Sequence, residues 1–131
     1  MSEENVELVR SVLDGWERGD FGAGQELRAK EFEWQQHPEA VEPGTHRDDA
    51  IGNALRRIFA VYRDFRVTAE EFIDAGDRVV VVGRTHGISR ATGMPVEQRF
   101  AFVWTVRDGQ LVRNEVYSDR AQALEAAGLR K

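Results

Sequence analysis

The sequence predicts an α+β fold in which helices packed on one face of an antiparallel sheet enclose a single core. Two observations carry this. The amino-terminal half holds apolar stripes at helical spacing, and residues 65–118 hold β-branched and aromatic runs divided by turn signals. Helices followed by strands, rather than alternating with them, give the layered solution in which each apolar face covers the other. At 131 residues the chain reads as one domain over 1–131. No repeat, low-complexity tract or linker interrupts it.

Val6, Val9, Val12, Leu13 and Trp16 form the stripe of the first helix, with Ser2 as the expected N-cap and Gly19 as the stop. Residues 21–29 predict a shorter helix weakened by Gly22 and Gly24. Phe32 and Trp34 predict a short strand ending at His37-Pro38, and residues 39–45 a loop. From Asp48 to about Tyr62, Ile51, Leu55, Ile58, Phe59 and Tyr62 share the face of another helix.

Strands are expected over 65–73, 78–89, 96–106 and 111–118. Ala75-Gly76-Asp77 turns the first pair, and Asp108-Gly109 is a strong hairpin signal for the last. Val79 to Val82 reads as a strand buried on both faces. Phe100, Phe102, Trp104 and Val106 line one side of the next. A short helix over 120–127 stops at Gly128.

Composition excludes several classes. Without cysteine there is no disulfide, thiolate site or thiol nucleophile. A net charge of −5 disfavours nucleic acid as the main partner. No apolar run reaches the roughly 20 residues of a membrane helix, and no signal-peptide pattern opens the chain, so a cytoplasmic location is expected. Three scattered histidines match no metal-ligand spacing, and no dinucleotide, P-loop or serine-hydrolase signature occurs. Neither metal nor cofactor is expected.

The last strand carries the candidates for chemistry. A period of two puts Arg113, Glu115, Tyr117 and Asp119 on one face. Turned into an apolar pocket, a carboxylate there gains a raised pKa and becomes a general base, and a phenol beside it can stabilise an enolate. Asp119 reads equally as the N-cap of the final helix, Glu115 with Arg113 as a solvated pair, and Tyr117 as a core residue. His86 and Arg84 point the same way on a central strand, toward an anionic ligand or toward an exposed face. His37 and His46 read as surface residues. The aromatic set Trp16, Trp34, Phe59, Phe100, Phe102 and Trp104 reads as core, with some members expected to wall a cavity.

Several stretches together resemble the SnoaL-like branch of the nuclear transport factor 2-like superfamily. These are Trp16-Glu17-Arg18-Gly19-Asp20, residues 72–81 (Phe72-Ile73-Asp74-Ala75-Gly76-Asp77-Arg78-Val79-Val80-Val81), Pro95-Val96-Glu97-Gln98-Arg99-Phe100, the hairpin from Val103 to Gly109 and the tail from Tyr117 to Leu124. The resemblance implies a cone-shaped sheet with the amino-terminal helices on its concave face, a pocket for a small apolar molecule, and a homodimer through the sheet's outer face. It also implies cofactor-free isomerase, cyclase or dehydratase chemistry, or non-catalytic ligand binding. Asp119 is similar in position to the general base of the related cyclases. Ketosteroid isomerases instead carry a tyrosine where this chain has Val12, an aspartate in the region of Trp34 to Pro38, and an acid near Phe102; none is present here.

Overall fold

The computed structural model describes residues 2–38, 40 and 42–129. Helix α1 (Ser2–Glu17) is followed by a single 3-10 turn (Gln25–Leu27) and strands β1 (Arg28–Gln36) and β2 (Gly44–Arg47). Helix α2 (Asp49–Val61) runs directly into β3 (Tyr62–Ala75). Strands β4 (Arg78–Ser89), β5 (Pro95–Arg107) and β6 (Gln110–Tyr117) then precede helix α3 (Arg120–Ala126). The capping role expected of Ser2 lies outside the described side chains.

The six strands form one curved, unclosed sheet in the order β2-β1-β6-β5-β4-β3. Strands β3 to β6 are the expected meander. The sheet is not purely antiparallel, however, because β1 pairs with β6 in parallel, bringing Trp34 beside Asn114. Two strands exceed the expectation. Residues 28 and 29, assigned to a helix by sequence, belong to β1: Gly24, at a left-handed φ of 86°, opens only a single 3-10 turn, and Arg28 leaves that turn in extended conformation (φ −72°, ψ 133°). Residues 44 and 45, expected as loop, pair with β1 as part of β2.

Val9, Val12 and Leu13 of α1 and Ile51 of α2 pack against Val67, Val79, Val81, Phe102 and Trp104 on the concave side. The opposite faces of β4 and β5 hold Val80, Val82, Ala101 and Val103, which α3 covers with Ala123 and Leu124. The double-sided burial read for Val79 to Val82 is therefore satisfied within one chain. α3 sits on the outer face of the sheet, apart from α1 and α2.

Candidate functional site

Curvature leaves a cavity of about 110 Å³ between the concave face and the amino-terminal elements. Phe100, Phe102 and Trp104 of β5 enter it together because alternate residues of a strand share a face. Trp34 of β1, Asn114 of β6 and Trp104 of β5 lie side by side in register, so one rung crosses three neighbouring strands. Trp16 meets Trp104 with ring centroids 5.6 Å apart and Phe102 edge-on at 6.1 Å, which roofs that rung. Its indole nitrogen donates to the Ala23 carbonyl (3.3 Å), fixing the ring by the chain that follows α1. Ile51, Leu55 and Ile58 of α2 complete the apolar wall.

Polar groups in this wall are few: Arg28, Gln36, Thr85 and Asn114, with the indole nitrogen of Trp104. Asn114 is 2% exposed and Trp104 1%. The Oδ1 of Asn114 and the Nε1 of Trp104 are both buried without a hydrogen-bond partner. Arg28 lies at the rim, its guanidinium 5.0 Å from the centre of the Phe32 ring. It lines both the cavity and the adjoining open groove that holds Asp48 and Asp49, and burial pulls its pKa down.

The acidic face of β6 is turned the other way. Asn114 and Val116 face the cavity, whereas Glu115 and Tyr117 line a separate open groove with Gln35, His37 and Gln122. The inward orientation considered for the set Arg113, Glu115, Tyr117 and Asp119 is thus reversed. The cause is a register shift in the last hairpin, where Val106 pairs with Leu111 but Thr105 with Arg113. On the outer side the Tyr117 hydroxyl donates to Glu115 (3.0 Å). Desolvation, reinforced by the Glu115 charge, pushes the phenol up to about 12. Arg47 hydrogen-bonds Glu33, Arg113 lies 3.6 Å from it, and the Arg47 bond holds the Glu33 carboxyl below its ordinary range.

Asp119 caps α3, accepting from the Gln122 backbone N–H at 2.8 Å. Of its two readings, the cap is the one its contacts express. Arg84 lies on the outer face between Glu70 (3.0 Å) and Glu97 (3.2 Å), and His86 is hydrogen-bonded to Thr68 (3.0 Å). Neither lines the cavity, because Gly83 and Thr85 occupy the inward positions of β4 there. Phe59 packs behind the wall against Phe21 and Phe65, with ring centroids at 5.4 and 6.2 Å. Trp16, Trp34, Phe100, Phe102 and Trp104 do line the cavity. His46 stacks near Trp34, 5.3 Å between ring centres. Sequence reading missed Asn114 and Arg28. A lone asparagine among valines on a two-sided strand was the available signal for Asn114.

A cone-shaped sheet closed by amino-terminal helices over an apolar cavity defines the nuclear transport factor 2-like class of pocket proteins. The chain belongs to the SnoaL-like domain family, whose model matches residues 9–114. Among solved structures it is similar to a nuclear transport factor 2-like protein of Burkholderia thailandensis (31% identity, 91% of this chain and 95% of that one, TM-score 0.79). A nuclear transport factor 2-like protein of Burkholderia xenovorans is similar at 28% identity over 97% of each chain, with a TM-score of 0.70. TerC, co-crystallised with polyporic acid, is similar at 26% identity over 95% of this chain and 98% of that one, with a TM-score of 0.73. No curated protein matches the chain in sequence. Among the described residues, no helix is long and apolar enough to cross a membrane.

Proposed function

We propose that this protein binds a compact, largely apolar small molecule in its concave cavity and acts there as a binder rather than a proton-transfer catalyst. The observation that carries this reading is the composition of the wall. It combines five aromatic rings of the expected set with the polar side chains of Arg28, Gln36, Thr85 and Asn114, and no aspartate, glutamate, histidine or tyrosine is among its described residues. A general base must reach the proton it removes, and such a group is what this wall lacks. The volume suits a ligand near one ring in size, since an apolar protein cavity of about 150 Å³ admits benzene. The similarity to TerC, which was co-crystallised with polyporic acid, supports small-molecule binding on this scaffold.

Thermal unfolding in the presence of toluene tests the reading. A ligand bound only by the native state raises the melting temperature by mass action, with about 2.7 kcal/mol of stabilisation at a hundred times Kd. Val116→Phe, which projects a ring into the cavity, is expected to remain folded and to lose that response. No shift with toluene in the parent protein would reject the site.

A second reading has one favouring observation, the Tyr117–Glu115 hydrogen bond in the outer groove beside His37. Proton transfer there would use Glu115 as base, and Glu115→Gln should then abolish turnover of enolisable ketones. Homodimerisation is part of the same proposal. With the outward valines covered by α3, it would rest on the polar outer strip of Arg78, Arg113 and Tyr117. Sedimentation at micromolar concentration should show a dimer; a monomer would remove this part.

A further inference from the structure

We propose that the cavity selects a ligand bearing a hydroxyl group, of the phenol or small cyclic alcohol type, held between Trp104 and Asn114. The inference rests on the binding reading above and adds the chemical class of the ligand.

Trp104 on β5 and Asn114 on β6 are direct cross-strand partners on the same face of the sheet. Opposed residues of an antiparallel pair hold their Cβ atoms about 4.5–5.5 Å apart, so both side chains address one region of the cavity. One presents an indole N–H, which only donates; the other presents an amide oxygen, which accepts. Both atoms are buried and unpartnered. A buried polar atom left unpaired is costly, and native interiors hold few of them. Two on one rung, of opposite hydrogen-bonding character, in a wall whose other polar side chains among the described residues are Arg28, Gln36 and Thr85, make a built polar subsite.

The pair discriminates among functional groups. A hydroxyl oxygen accepts from the indole while its proton goes to the amide oxygen, satisfying both with one group. A ketone or ether only accepts, so the Asn114 oxygen stays unpaired. A carboxylate also only accepts and carries a charge into an apolar space. Arg28 is the one cationic side chain among the described residues of the wall. Arg28 is the register partner of Leu111, three residues from Asn114, or roughly 10 Å along the strand. A plain hydrocarbon leaves both atoms unpaired. The aromatic rings of Trp16, Trp34 and Phe102 supply the apolar contact around the ligand body.

Calorimetric titration of the full chain with phenol, anisole and toluene reads this directly. Transfer from water favours toluene over phenol, so a preference for phenol reports the polar pair and not burial. Phenol should bind at least roughly tenfold more tightly than toluene, with anisole no better than toluene. In Asn114→Leu, and independently in Trp104→Phe, that order should invert. Toluene binding as tightly as phenol in the parent protein would overturn the inference and leave the binding reading intact. So would a phenol preference that survives in both variants. Failure of all three compounds to bind would remove the binding reading, and this inference with it.

Discussion

Replacing Asn114 by leucine should make the ligand-free protein more stable. The side chain is 2% exposed and its Oδ1 has no partner, in a wall built mainly from aromatic and aliphatic groups. An unsatisfied buried acceptor costs about 1–3 kcal/mol, and an apolar side chain of similar shape removes that cost. Leucine also adds contact with Trp34 and Trp104, its neighbours on the rung. A net gain of about 1–2 kcal/mol follows, since imperfect fit takes back part of the relief. For a chain of this length each kcal/mol corresponds to about 3–4 °C, so the midpoint should rise by about 3–8 °C. Thermal and urea unfolding of parent and variant, each followed by circular dichroism, provide the assay. A loss of 1 kcal/mol or more would show Asn114 to be satisfied in the free protein, and would refute the account of it as a vacant binding group. A gain in stability with a loss of ligand preference is the trade expected where a side chain is kept for function.

Three further outcomes follow from the geometry. Gly83→Ala should destabilise by at least about 2–3 kcal/mol in urea unfolding, because the new Cβ would fall 2.1 Å from the rigid Thr68 carbonyl oxygen. Asp119→Ala should cost about 1 kcal/mol through the lost α3 cap, with toluene binding unchanged. In a Tyr62→Phe background the remaining phenol, Tyr117, should ionise near 12 by ultraviolet titration, and Glu115→Gln should lower that value without restoring it fully, since desolvation is the larger cause. The sign for stability follows from the native state keeping this proton longer than the unfolded chain, which releases it near 10. The contribution is complete below about pH 10 and fades as pH rises toward 12.

Much of this architecture is legible in the sequence. The stripe from Val6 to Trp16, the hairpin at Asp108-Gly109, the inward set Phe100, Phe102 and Trp104, and the cap at Asp119 all follow from local periodicity and turn chemistry. Residues 28–31 were not legible as strand, because local periodicity does not announce the parallel partner, β6, that recruits them. The face of β6 depends on one residue. With Arg107 opposite Gln110, an unbroken two-residue hairpin would pair Trp104 with Arg113 and turn Glu115 and Tyr117 inward. The bulge at Thr105/Val106 instead pairs Trp104 with Asn114, and every later side chain of β6 changes face. A period of two yields both sets but cannot say which is inside. That decision moved the candidate site from carboxylates to an amide.

The central claim is that a small molecule enters beneath α1 and α2 and meets the Trp104–Asn114 rung. The indole N–H resonances of Trp16, Trp34 and Trp104, followed by two-dimensional NMR during titration with phenol, test it most directly. The Trp104 signal should move furthest, because its N–H gains a partner, while that of Trp16, already bonded to Ala23, should move less. Unmoved indoles, with shifts gathered instead at Tyr117 and Gln122 in the outer groove, would contradict the account.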